Sequence, residues 1–98
     1  MNWSAPLRPV EHAEHTLITA ILEGTFPVGA ALPGERDLAV QIGVTRPTLR
    51  EVLQRLERDG WIIIQQGKPT VVNDFWRDGG LNILSGIVQH SETLPPDL

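Results

Sequence analysis

Arg46, Arg50, Arg55 and Arg58 fall within one stretch, Thr45 to Asp59, with Thr45, Thr48 and Gln54 between them. These side chains suit recognition better than covalent chemistry. An arginine fork can donate two hydrogen bonds to O6 and N7 of a guanine, each such pair being worth ~1–3 kcal/mol of base discrimination. In the same stretch Leu49, Val52, Leu53 and Leu56 recur at i, i+3, i+4, i+7, the spacing of a helix with one buried face. The arginines lie mostly off that stripe. A helix that packs on one side and offers arginine, threonine and glutamine on the other fits a DNA major groove. Arg46 and Arg50, nearest the helix start, are the candidate base readers. Arg55 and Arg58 lie farther along and read as surface or phosphate-facing charges, and Glu51 or Glu57 are acids that could pair with the arginines at small net gain.

Such a helix must be held by others. Pro9 to Glu23 reads as a first helix, with Pro9 suited to its start, Leu17, Ile18, Ile21 and Leu22 as its apolar face, and Gly24 as its stop. Thr25 to Gly34 is a connector in which Ala30 to Leu32 forms a very short strand. Glu35 to Ile42 reads as a second helix with Leu38, Ala39 and Ile42 inward, its early acids Glu35 and Asp37 favoured by the helix dipole. Gly43 ends it. Thr45 is the expected N-cap of the third helix and Pro47 falls in the first turn, where a missing N–H costs little. Trp61 to Gln65 and Pro69 to Val72 read as two strands around Gln66-Gly67-Lys68, a hairpin tip with positive φ at the glycine. Asn73 to Gly80 is a connector and Leu81 to Val88 a fourth helix.

Helix, short strand, helix, turn, helix, hairpin is the order of a winged helix-turn-helix, an α+β fold of three helices and a two-stranded wing, here followed by a linker helix. The expected core is Leu17, Ile21, Leu38, Ile42, Leu49, Leu53, Leu56 and either Ile62 or Ile64. The expected organisation is a lead-in over residues 1–8, a DNA-binding domain over 9–72, and a linker helix and tail over 73–98.

Ninety-eight residues suffice for one small domain, and 41% hydrophobic content is ordinary for a globular one. No apolar run approaches the ~18 residues of a membrane span. The absence of cysteine excludes disulfides and thiolate metal sites and is compatible with a reducing cytosol. The net charge of −4 argues against a generic polyanion binder, yet the charge is uneven: Arg36 to Lys68 carries a net +2 and the remainder −6. Because salt screens charges beyond roughly 10 Å, the local surface outweighs the total. There is no Gly-rich phosphate loop and no serine with a plausible base, so the expectation is a protein without catalytic residues.

Several spaced motifs, in order, resemble the DNA-binding domain of the GntR family of bacterial transcription regulators: Leu32-Pro33-Gly34-Glu35-Arg36-Asp37-Leu38-Ala39, Gly43-Val44-Thr45-Arg46, Leu49-Arg50-Glu51, and Leu56 to Trp61. The resemblance covers most of residues 8–72. It implies DNA contacts at Arg36, Thr45, Arg46, Thr48 and Arg50 in the major groove, and at Gln66, Gly67 and Lys68 on the wing. Pro47 departs from the family, which usually has threonine there, so a hydroxyl contact is lost. A narrower resemblance, to the branch of the family that governs fatty-acid metabolism, lies in Arg50 to Leu56, Gly67-Lys68-Pro69-Thr70, Val72-Asn73, Phe75-Trp76 and Gly80 to Leu84. That branch has histidine where this chain has Gln66, which can hydrogen-bond a base edge but cannot become cationic. The resemblance also implies a homodimer on a double-stranded operator, and a long-chain acyl-CoA sensed by a further helical domain of well over a hundred residues beyond Leu98. On that expectation the 98 residues are a fragment that needs no cofactor. A response to another metabolite, or a winged helix that binds protein, are the alternative readings.

The remaining polar and aromatic residues read as ordinary. His12 and His15 at i, i+3 have no cysteine near them and belong to a solvated helix face, not a metal site. His90 stands alone in a polar tail. Trp61 reads as a packing residue, and Trp3, Phe75 and Trp76 as covers for the fourth helix or a partner. Leu81, Leu84, Ile87 and Val88 form an apolar stripe that little of this chain is left to cover.

Overall fold

The computed structural model describes residues 8–90. Trp3, the lead-in before Arg8 and the tail after His90 lie outside the described residues. Helix α1 spans Pro9–Glu23, with the proline in its first turn. It stops at Gly24, whose φ of 85° is left-handed and lets its N–H reach the carbonyls of Ala20 and Ile21. Ala13, Leu17, Ile18, Ile21 and Leu22 are buried on one face. Helix α2, Glu35–Ile42, buries Leu38 and Ala39 and ends at Gly43. Only the turn Gly43-Val44-Thr45 separates it from helix α3, Arg46–Asp59. The Thr45 hydroxyl accepts from the backbone N–H of Thr48, satisfying one of the helix's free donors. Leu49, Val52, Leu53 and Leu56 all point inward, and α3 is the central element, packed on both α1 and α2.

Strands β1, Ile62–Ile63, and β2, Val71–Val72, pair antiparallel with Ile62 opposite Val72 and Ile63 opposite Val71. They are shorter than the sequence pattern predicts. The backbone N–H of Ile64 leaves the ladder and donates to Oε2 of Glu57 at 2.9 Å, and Pro69 has no N–H to offer. Ile62 is therefore the core residue, while Ile64 is 39% exposed. Residues 30–32 line the other edge of β2 through an antiparallel bridge between Ala31 and Val71, with the N–H of Leu32 on the Thr70 carbonyl. The predicted third strand thus exists as a single bridge.

The expected connector after the wing contains a short helix, α4, Phe75–Asp78. Phe75 drives it: its ring is buried and sits 5.0 Å from that of Trp61. Helix α5, Leu81–Gln89, then folds back on the domain through Ile83 and Gly86. A β-carbon at Gly86 would lie 2.5 Å from Trp61 Cζ2, so only glycine allows this approach. Trp61, 1% exposed, is the hub of this end of the core, as expected of a packing residue. Ile42 sits at the edge of the core and not within it. Of the apolar stripe on α5, Leu81, Leu84 and Val88 are exposed and Ile87 packs in part against the core. Trp76 is exposed as well.

Candidate nucleic-acid interface

The turn from α2 into α3 and the cap at Thr45 aim the first two turns of α3 outward. Pro47 sits in the first turn, where a fixed φ suits the helix start. Leu49 and Val52 anchor the inner face with no exposed surface, which leaves Arg46 and Arg50 on the outer face, each with a side chain 53% exposed. Both converge on one carboxylate oxygen, Oε1 of Glu35 at the start of α2. Arg50 Nε donates to it at 2.9 Å, and an Arg46 Nη lies 3.7 Å away. The acids nearest in sequence are not the partners: Glu57 is occupied by the Ile64 N–H.

The wing stands beside this surface. The N–H of Lys68 donates to the Gln65 carbonyl at 3.3 Å, closing a four-residue turn in which Gly67 adopts a φ of 73°. Gln66, Gly67 and Lys68 are all exposed at its tip. An open groove of about 400 Å³ runs from Gly34 and Glu35 past Leu53 to Gln65 and Lys68, so the start of α2, the middle of α3 and the wing border one depression. Arg36 is exposed next to Glu35, and among the described residues neither it nor Lys68 forms an ion pair.

Thr45 and Thr48 differ in what they can still do. The Thr45 hydroxyl donates to Thr48 Oγ1 at 3.0 Å while accepting from the Thr48 N–H. Its oxygen makes the cap and its proton goes to Thr48 Oγ1, whereas the Thr48 proton remains to donate. Arg55 and Arg58 point elsewhere. Arg55 pairs with Glu14 of α1 at 3.2 Å and Arg58 with the adjacent Asp59 at 3.2 Å, each neutralised one for one.

Two features have no counterpart in the sequence patterns. Glu35 is marked only as an acid at a helix start, and its pairing with arginines more than ten residues on is purely tertiary. His90 is not alone in a polar tail: it is 7% exposed, bonds the Gly86 carbonyl through Nδ1 at 2.8 Å, and places Nε2 3.0 Å from His15 Nδ1. This histidine contact ties the end of α5 to α1, and Asn82, donating to Asp59 at 2.9 Å, ties its start to α3. His12 is exposed, with Nε2 3.3 Å from the Ile42 carbonyl. Among the described residues no group of three or more His, Cys, Asp or Glu could hold a metal ion, and no helix is long and apolar enough to cross a membrane.

Known proteins resemble this chain in sequence and in fold. The "Fatty acid metabolism regulator protein" of Shewanella halifaxensis is 54% identical over 90 residues, covering 92% of this chain and 38% of that protein. The protein of the same description from Shewanella amazonensis is 60% identical over 79 residues, covering 81% and 33%. The match thus spans about a third of the length of these relatives, 38% of one and 33% of the other. A solved GntR family transcriptional regulator from Listeria monocytogenes matches the fold with a TM-score of 0.74 at 20% identity, over 92% of this chain and 75% of that one. The family model described as "Bacterial regulatory proteins, gntR family" matches residues 9–72. With the model covering the three helices and the wing, this chain belongs to the gntR family of bacterial regulatory proteins and carries the family's DNA-binding winged helix.

Proposed function

We propose that this chain reads a double-stranded DNA operator, with the first turns of α3 in the major groove and the wing tip along the adjacent minor groove. The observation that carries the reading is the presentation of Arg46 and Arg50 on the outer face of α3, beside Arg36 and a wing ending in Gly67 and Lys68. Arg46 and Arg50 supply base readout, and Arg36 a base or phosphate contact. The Thr48 hydroxyl has a proton to give a phosphate, and Thr45 shapes the helix start that the backbone approaches. Gln66, Gly67 and Lys68 suit a narrow groove, where the backbone must come close and the potential is negative. The domain boundaries follow: residues 9–72 bind DNA and 73–98 link to whatever the longer relatives carry beyond.

The names of those relatives support a role in fatty-acid metabolism; a long-chain acyl-CoA effector is the signal that such a role would call for. The full-length protein would be a homodimer on a palindrome, since a two-fold protein matches a two-fold site. The setting is the bacterial cytoplasm, and the role is regulatory and not enzymatic. The test is a titration of this chain onto a selected duplex and a random duplex at several salt concentrations. Tighter binding to the selected duplex, falling linearly on a log–log salt plot, is the expected result. Salt-independent binding, or none, overturns the reading and favours a protein-binding winged helix.

A further inference from the structure

We propose that Glu35 is a positioning residue for base readout: its carboxylate holds the Arg50 guanidinium by Nε, with Arg46 in reach of the same oxygen, so that the two arginines meet DNA as one ordered unit. The proposal rests on the DNA reading above and names how its central contact is prepared. Three observations carry it.

The first is which nitrogen is used. Glu35 engages Arg50 through Nε at 2.9 Å. The two Nη groups form the end-on fork that matches O6 and N7 of guanine, and this bond leaves them available. A carboxylate bound across the fork itself would block readout, whereas one bound at Nε orients it. The second is where the carboxylate is mounted. Glu35 is the first residue of α2, and α2 is held to the core by Leu38 and Ala39, 2% and 3% exposed. The backbone that carries the carboxylate is therefore fixed relative to α3. Arginine has much rotamer freedom to lose, and ordering it before DNA arrives removes that cost from binding. The third is the charge count. Arg55 and Arg58 each have a carboxylate of their own, but Arg46 and Arg50 share one. Arg50 is held without the pair being neutralised, and a positive surplus remains facing outward.

The opposing reading is that Glu35 repels phosphate and competes for the arginines. The two make opposite predictions. The unmutated chain is first used to select a duplex from a randomised library, and Arg50→Ala then locates the base pair at which preference relaxes. Glu35→Ala is expected to lower affinity for the selected duplex about tenfold, within the range that one oriented fork supplies. Its discrimination at the Arg50 base pair should fall with it, while affinity for a random duplex is unchanged or rises. The loss should shrink below about twofold when Arg50→Ala is already present, as expected of coupled residues. Glu35→Gln should retain part of the affinity, because the amide oxygen still accepts from Nε. Its smaller loss, about threefold, should likewise vanish without Arg50, so this near-isosteric variant carries the test if Glu35→Ala does not fold. Unchanged or tighter binding of the selected duplex by Glu35→Ala overturns the proposal, and so does a loss of equal size with and without Arg50. A chain that selects no sequence overturns the DNA reading itself, which is a different result from either.

Discussion

Arg50 and Lys68 are both cations on the same surface, yet the structure holds them differently. Arg50 sits on a helix anchored by Leu49 and is oriented by Glu35, so its fork has a defined direction. Lys68 is an exposed ammonium on a turn, a point charge without directional geometry. Arg50→Ala is therefore expected to cost ~1–3 kcal/mol on the operator and to relax preference at one base pair. Equal losses on operator and random duplex, measured by titration, would show that it touches phosphate alone. Lys68→Ala should weaken binding to every sequence and reduce the salt slope by about one unit, since each neutralised phosphate contributes ~0.9. An affinity unchanged across a salt series would remove the wing tip from the interface. The two arginines are legible in the sequence because helical periodicity alone separates them from the buried stripe. Glu35 is not legible as their partner, because no local spacing reports a contact between separate helices.

Among the elements, those with chemical punctuation match the sequence reading. Pro9, Gly24, Gly43 and Thr45 mark helix ends, and α1 starts and stops, α2 stops and α3 starts where those residues place them. The strands shorten and α4 appears because tertiary demands override local pattern there: Glu57 takes the Ile64 N–H, and Phe75 needs a place beside Trp61. Helix α5 docks on the same tryptophan through a glycine. Gly86→Ala sets two effects against each other. Replacing a helical glycine by alanine favours the helix by about 1 kcal/mol. The added carbon, however, would lie 2.5 Å from a ring that is 1% exposed and has no room to turn. Overpacking of that kind costs ~1–3 kcal/mol and should win. A lower urea midpoint, with the wing and α3 intact by spectroscopy, is the expected result, and a raised midpoint would show that α5 does not press on Trp61 in solution.

At the scale of the molecule, an acidic chain presents a basic face, and this bears on what an anionic effector would do. Acyl-CoA carries several phosphate charges, so it is attracted to the same arginines and lysine that meet DNA. Weak, salt-sensitive association through the CoA head is thus expected even without a built site. Pocket binding has a different signature, because each buried methylene contributes ~0.8 kcal/mol, about a fourfold gain in affinity per carbon. The interior of the described residues is filled by Trp61, Leu17, Leu38, Leu49 and Leu56. The groove of about 400 Å³ is open and bordered by Glu35, Gln65 and Lys68 as well as apolar groups. Neither offers a long acyl chain a place away from water. Calorimetry on this chain with free CoA and with acyl-CoAs of increasing length should therefore give the same weak affinity for all, lost at high salt. Saturable binding that strengthens steeply with chain length would instead place an acyl-chain pocket within these residues.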